Sequence, residues 1–109
     1  MNTENTNNIV EWAPFTLAEG VTEQQLLEAA ETIESRFLAL QPGYIRRELL
    51  KKSEQEWVDL VYWSSQEDAE QAFQKAAESE ACGGYFSLMV MPENPETAVL
   101  HLQQMKQWR

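Results

Sequence analysis

Segments with the composition of β-strands alternate along this chain with segments whose apolar residues have helical spacing. Together they predict the order of strands and helices. Segments rich in β-branched and aromatic residues predict four strands, at residues 9–17, 44–51, 57–63 and 97–105. Between the first two strands, apolar residues recur every three or four positions and predict a helix; they are Leu26, Ala30, Ile33 and Phe37. A second stripe follows the third strand and predicts another helix; it consists of Ala69, Ala72, Phe73, Ala76 and Ala77.

Local signals predict where these elements begin and end. Pro42-Gly43 ends the first helix, and the polar residues 53–56 fit a hairpin loop between the second and third strands. Cys82-Gly83-Gly84 is expected to break the second helix, with a short helical turn over residues 85–89. Capping boxes mark both helix starts, Thr22 with Gln25 and Ser64 with Glu67.

The resulting order is β-α-β-β-α-β, which predicts the fold class. Two crossovers around a central hairpin give a ferredoxin-like α+β fold, a four-stranded antiparallel sheet with both helices on one face. Residues 1–8 are polar and are expected to be frayed. The remaining residues, 9–109, form a single domain, because 109 residues do not suffice for two independent cores.

The third strand predicts a dimer. One of its faces carries Val58, Leu60 and Tyr62, while the other carries Trp57, Asp59, Val61 and Trp63. Helices cover only one face of such a sheet, and an exposed apolar face is unfavourable in a soluble monomer. We therefore expect a homodimer, with the purely apolar face against the helices and the face with the tryptophans between two sheets.

Charge and cysteine content narrow the partners and the compartment. The chain has 18 acidic against 8 basic residues and a net charge of −10. Such a surface repels phosphate groups, so neither nucleic acid nor an anionic membrane is expected as a partner. The single cysteine, Cys82, rules out an intramolecular disulfide, and the first residues have no signal-peptide pattern. We expect a cytoplasmic protein.

Three segments carry a further pattern: Gln41-Pro42-Gly43-Tyr44 leading into Arg47 and Leu49-Leu50, the run from Glu56 to Ser65, and Asp68-Ala69-Glu70-Gln71-Ala72. Together they resemble the dimeric α+β-barrel superfamily, most of all its antibiotic-biosynthesis-monooxygenase-like branch, over residues 9–102. The resemblance implies a homodimer whose two sheets form a barrel around a ligand cavity. Members include cofactor-free monooxygenases of aromatic polyketides and haem-degrading enzymes. The Asn, Trp and His set of the haem-degrading members has no residue-by-residue match here.

Asp59 and His101 are the candidate catalytic residues. Asp59 lies between two tryptophans and is either an acid of the pocket or the partner of an arginine on the neighbouring strand. The hairpin register leaves Arg46 and Arg47 both open, and Arg47 matches the family pattern better. His101 is the only histidine, so it is the natural base near neutral pH if it faces the cavity; otherwise it is an interface or surface residue.

Two functions remain open. In the first, the protein is a cofactor-independent monooxygenase for a small aromatic or quinol-like molecule; Trp57 and Trp63 clamp the substrate, Arg47 lines the pocket, and His101 or Asp59 removes a proton. In the second, it is a non-catalytic small-molecule-binding or dimerisation module. No cofactor is expected, and one His with one Cys and no local ligand cluster argues against a metal site.

Overall fold

The computed structural model describes residues 8–108, so residues 1–7 of the predicted frayed segment lie outside the described part. Residue 8 is already held in place, because the backbone N–H of Gln104 donates to the carbonyl of Asn8 at 2.8 Å. The elements in chain order are β1 Ile9–Thr16, α1 Glu23–Arg36, a 3-10 turn Leu38–Leu40, β2 Tyr44–Lys51, β3 Glu56–Trp63, α2 Gln66–Ala76, α3 Glu80–Phe86, α4 Pro95–Ala98 and β4 Leu100–Gln103.

The four strands form one antiparallel sheet in the order β2-β3-β1-β4. This is the predicted β-α-β-β-α-β arrangement, with β1 and β3 at the centre. The core lies on one side of the sheet, where alternate residues of β3 pack against buried residues of the helices; the helical ones include Leu26, Ile33, Ala69 and Tyr85. The predicted ferredoxin-like α+β fold is confirmed.

Local signals place most helix starts correctly. Thr22 caps α1 through the predicted capping box with Gln25. For α2 the cap is Ser65 instead of Ser64, and it accepts from the backbone of Asp68. The prediction that Cys82-Gly83-Gly84 breaks a helix is wrong. Ser79 caps a new helix, α3, which runs through these residues.

The last strand is shorter than the predicted 97–105. Pro95 stands in the first turn of the short helix α4, Pro95–Ala98, because proline fits a helix start that needs no N–H donor. Only Leu100–Gln103 pair with β1.

The prediction of which sheet face meets the helices is wrong. Residues paired across antiparallel strands point to the same side, and Trp57, Val61 and Trp63 are at most 5 % exposed beneath the helices. The opposite face carries Val58, Leu60 and Tyr62, which are partly exposed. The helices cover the mixed face because they supply hydrogen-bond partners for its polar groups, as the site shows below.

Gly43 illustrates how closely the β2 start approaches α2. Its φ of +81° lies in the left-handed region, and a Cβ there would overlap the side chain of Asp68. Asp68 in turn accepts from the hydroxyls of Ser64 and Ser65 at 2.8 and 3.0 Å. Glycine is therefore required at this position by both backbone and packing.

We expect Gly43→Ala to lower the free energy of unfolding by about 2–4 kcal/mol, the sum of left-handed backbone strain and a disturbed helix start. Gly20→Ala is the matched control, since Gly20 has a φ of +90° and open space around its Cβ position. It should cost only the strain, about 1–2 kcal/mol. Urea unfolding of both variants measures the difference; equal losses would show that the contact with Asp68 contributes nothing.

A candidate site beneath helix α1

A buried ion pair lies at the centre of the helix-covered face. Arg47 on β2 donates from Nε and Nη2 to the two carboxylate oxygens of Asp59 on β3, at 2.7 and 2.9 Å. Their side chains are only 7 % and 11 % exposed. The predicted burial of Asp59 and its pairing with Arg47 are confirmed, and the alternative partner Arg46 instead contacts Glu48 and Tyr62 on the open face.

Residues of the helices make further hydrogen bonds with both members of this pair. The Tyr85 hydroxyl of α3 donates to Asp59 Oδ2 at 2.7 Å, and Arg47 Nη1 donates to the carbonyl of Ala30 in α1 at 2.8 Å. Glu34 of α1 lies 3.6 Å from Arg47 Nη1 and accepts a 2.6 Å hydrogen bond from Tyr44. Because both oxygens of Asp59 are used in this way, the carboxylate holds Arg47 in position instead of standing free as a base.

The network keeps Arg47, Tyr85 and Tyr44 in their protonated forms at neutral pH. Burial opposes the positive charge of Arg47, but the hydrogen bonds with Asp59 outweigh it, so the pKa of Arg47 is raised. Burial, followed by the negative charge of Asp59, raises the pKa of Tyr85 far above its usual range. Burial and the hydrogen bond to Glu34 do the same for the pKa of Tyr44. Both phenols therefore remain hydrogen-bond donors at neutral pH.

A cleft of about 380 Å³ opens above Arg47, between α1 and the edge strand β2. We call it the α1–β2 cleft. Its residues combine apolar walls with charged groups: Leu27, Ala30, Glu31, Glu34, Arg47 and Leu49. Helical spacing places Leu27, Glu31 and Glu34 on one side of α1, which is why a single helix contributes most of the wall. The cleft is shallow and open to solvent, so a molecule of one or two rings would lie against its wall with one side exposed.

A second polar cluster lies under α2, on the same face of the sheet but towards its opposite edge. His101 on β4 is paired with Glu11 on β1, and its Nε2 lies 3.5 Å from Glu11 Oε1. That separation is typical of an ion pair and long for a hydrogen bond, and Nε2 has no hydrogen-bond partner in residues 8–108. Trp63 donates from Nε1 to the same Glu11 oxygen at 3.2 Å.

The pKa of His101 is raised, first by the contact with Glu11 and also by the charge of Glu70 on α2, against the opposing effect of burial. The folded protein thus binds this proton more tightly than the unfolded chain. The resulting stabilisation is complete below the unfolded pKa, near 6.5, and is lost as pH rises through the folded pKa. We expect the free energy of unfolding to fall between pH 6 and pH 8, and His101→Gln to remove this slope.

Urea titrations of the wild type and His101→Gln at both pH values measure that difference. His101 is the single histidine, and the α-amino group, which also titrates in this range, is common to both proteins. Parallel pH dependences in the two proteins would show that His101 is not paired with Glu11 in solution.

The structure places several predicted site residues differently from expectation. Trp57 and Trp63 are core residues beneath the helices, 5 % and 1 % exposed, so their predicted position between two sheets is wrong. Trp57 does border a second cavity of about 290 Å³ near the β2–β3 hairpin. His101 also lies on the helix-covered face, which corrects its predicted position facing an intersheet cavity.

The sheet register also separates the two predicted catalytic residues. Arg47, Val61, Glu11 and His101 form one row across the four strands. Asp59 lies two residues along β3 from this row, and β3 and β4 are two strand spacings apart, so the backbones of Asp59 and His101 are about 12 Å apart. The structure therefore brings Arg47 and Asp59 together and leaves His101 in a separate cluster; its role as a base stays a prediction.

Three residues of the site, Glu31, Glu34 and Tyr85, were not predicted from the sequence. Glu34 follows the buried Ile33 and is four residues from the buried Ala30. Its place at the border of the apolar stripe could have indicated that its carboxylate faces the sheet. Tyr85 could have been found by reading Ser79 as a helix cap, since Cys82 and Tyr85 then follow at helical spacing and both are buried.

Residues 8–108 contain neither a metal-binding cluster nor a membrane-spanning helix. No three His, Cys, Asp or Glu side chains are grouped so that they could hold a metal ion in this part of the chain. Over the same residues, no helix has the length and apolar character needed to cross a membrane.

Three solved structures have a similar fold. SnoaB, a cofactor-independent oxygenase from Streptomyces nogalater, superimposes with a TM-score of 0.65 at 17 % identity, over 88 % of this chain and 89 % of that one. Protein SO0527 from Shewanella oneidensis gives 0.58 at 22 % identity, over 94 % and 97 %. A protein from Nitrosomonas europaea, provisionally described as an antibiotic biosynthesis monooxygenase, gives 0.55 at 12 % identity, over 94 % and 92 %.

The chain shares the α+β fold of these proteins. The predicted resemblance is thus confirmed at the level of the fold. No protein-family model and no curated protein matches the sequence. A fold shared at these identities defines the architecture and leaves the reaction to be argued from the site.

Proposed function

We propose that this protein binds a small hydroxylated aromatic molecule in the α1–β2 cleft and oxidises it without a cofactor. The cleft itself carries the proposal, because Leu27, Ala30 and Leu49 offer apolar contact to a ring while charged groups lie beside them. The buried Arg47 is fixed by Asp59 and Tyr85, so the floor of the cleft is rigid. SnoaB, a cofactor-independent oxygenase with the same fold, is consistent with this chemistry.

Glu31 is the group that takes the proton in this proposal. Its carboxylate has no partner among the described residues, whereas Asp59 is committed to Arg47 and His101 lies in the cluster under α2. A phenol bound with its hydroxyl at Glu31 donates a hydrogen bond to the carboxylate, which increases the electron density of the ring. The proton passes to Glu31 as the ring gives up an electron to O₂, so no free phenolate forms beside the carboxylates of Glu31 and Glu34.

Oxygen completes the reaction without another reductant. A hydroxynaphthalene and O₂ give a naphthoquinone and water: the ring carbon gains one oxygen atom, the second oxygen leaves as water, and the substrate supplies all four electrons. No flavin, haem or metal is required by this balance.

A non-catalytic binding module is the second candidate. Both carboxylate oxygens of Asp59 accept hydrogen bonds from Arg47 or Tyr85, so this carboxylate is not available to take a proton from a ligand. That arrangement favours binding without catalysis. In this case the same cleft binds the aromatic molecule and releases it unchanged.

We propose a homodimer through the open face of the sheet, with a cytoplasmic location on the basis of the single cysteine. Besides apolar residues, this face carries the ion pair of Arg46 and Glu48, whose charges balance, so its centre adds no net repulsion between two copies although the chain has a net charge of −10. Its partly exposed apolar residues are Val10, Trp12, Leu50, Val58, Leu60, Tyr62, Leu100 and Leu102.

Oxygen consumption with calorimetry distinguishes the two candidates. Hydroxynaphthalenes and quinols are titrated into the protein, and consumption of O₂ is followed with an electrode. Saturable binding with turnover supports the oxygenase. Binding without oxygen uptake supports the module, and no binding of any compound contradicts both.

A further inference from the structure

The α1–β2 cleft is unusual in its charge balance. Its one positive group, Arg47, already contacts two carboxylates, Asp59 at 2.7 Å and Glu34 at 3.6 Å. Glu31 adds a third carboxylate at the wall of the cleft. One guanidinium therefore stands against three carboxylates, and the cleft has an excess of negative charge.

Geometry prevents Arg47 from serving an anionic ligand. Its Nε and Nη2 donate to Asp59, its Nη1 donates to the Ala30 carbonyl, and its side chain is 7 % exposed. A ligand carboxylate would have to displace a buried partner, and breaking such a pair is costly. The same ligand would also meet Glu31 and Glu34.

Glu31 and Glu34 differ in what they can accept. Glu34 already accepts from the Tyr44 hydroxyl at 2.6 Å and faces Arg47 with its other oxygen. Glu31, one helical turn earlier, has no partner for its carboxylate in the described residues. A carboxylate that only accepts hydrogen bonds is complementary to a neutral O–H donor and repels a carboxylate in the same place.

From this arrangement, and resting on the proposed function, we propose that Glu31 and Glu34 are specificity-determining residues that select uncharged hydroxyl-bearing aromatics and exclude aromatic carboxylates. The apolar walls bind the ring of either class of compound. The carboxylates of Glu31 and Glu34 favour the hydroxyl-bearing class and disfavour the carboxylate-bearing class. Specificity here comes from repulsion of the wrong ligand as much as from attraction of the right one.

The test compares two probes of the same ring size at pH 7, 2-naphthol and 2-naphthoate, by isothermal titration calorimetry of the full chain. We expect 2-naphthoate to bind at least about tenfold more weakly, the effect of roughly one to two like-charge contacts near a surface. Glu31→Gln should narrow this ratio severalfold by strengthening naphthoate binding. Raising the salt concentration to 1 M should narrow it as well, because exposed charges are screened.

Glu28→Gln is the matched control, since Glu28 lies on the same helix outside the cleft and should leave the ratio unchanged. Equal binding of the two probes, or tighter binding of 2-naphthoate, would overturn the selectivity while leaving the proposed binding site intact. If neither probe binds, the proposed function fails and the selectivity with it. An unchanged ratio in Glu31→Gln, with folding verified by circular dichroism, would remove Glu31 from its proposed role.

Discussion

Asp59→Ala is expected to lower the free energy of unfolding by about 3–5 kcal/mol, because it leaves the charge of Arg47 buried without its main partner. The Tyr85 hydroxyl would lose its acceptor at the same time. Replacing both members of the pair, as in Arg47→Met with Asp59→Leu, should recover most of this loss, since no unpaired charge then remains in the core. Denaturant titration of the single and double variants measures both effects.

Glu23→Gln is the control for the same chemistry at the surface. Glu23 pairs with Lys51 at 2.7 Å, but the two side chains are 47 % and 39 % exposed. Such pairs contribute at most about 1 kcal/mol. If Asp59→Ala costs no more than Glu23→Gln, then Asp59 and Arg47 are not buried together in solution.

Leu60→Glu is expected to convert the proposed homodimer into a folded monomer. Leu60 lies at the middle of the open sheet face, beside Trp12 on the neighbouring strand. A two-fold interface would bury one unpartnered carboxylate from each copy, so we expect dimer dissociation to become easier by at least about 100-fold. Light scattering should report the mass falling from twice 12.6 kDa to 12.6 kDa at micromolar concentration.

Phe73→Glu provides the matched surface control. Phe73 is 58 % exposed on α2, and the substitution makes the same change in charge and polarity on the other side of the molecule. It should leave the dimer intact. A wild-type protein of 12.6 kDa, or equal dissociation of both variants, would contradict an interface on the open face.

The fold could be predicted because its signals are local. The capping box at Thr22 and Gln25, the stripe from Leu26 to Phe37 and the alternation in residues 57–63 each act within a few positions of the chain. Together they define the order of elements, and that order leaves few topologies.

The covered face of the sheet could not be predicted in the same way. Alternation divides β3 into two faces but does not say which of them meets the helices when both carry apolar bulk. The deciding partners are distant in sequence: Tyr85 is 26 residues from Asp59, and the Ala30 carbonyl is 17 residues from Arg47. Asp59 was expected between two sheets because the sequence pattern does not show that helix residues such as Tyr85 would bind it.

The position of His101 depended on the same choice. Its pairing with Glu11 places it in the row of Val61, which is buried under the helices. Once the face of β3 is known, the register fixes the face of β4. The wrong face predicted for β3 therefore led to the wrong face for β4 as well.

The central claim, a hydroxylated aromatic in the α1–β2 cleft, is tested most directly by mapping amide chemical shifts on the labelled protein during titration with 2-naphthol. We expect saturable shifts concentrated at Leu27, Glu31 and Leu49, with the open face unchanged. Shifts concentrated at Trp12, Leu60 and Leu100 instead would place the ligand between two sheets and contradict it.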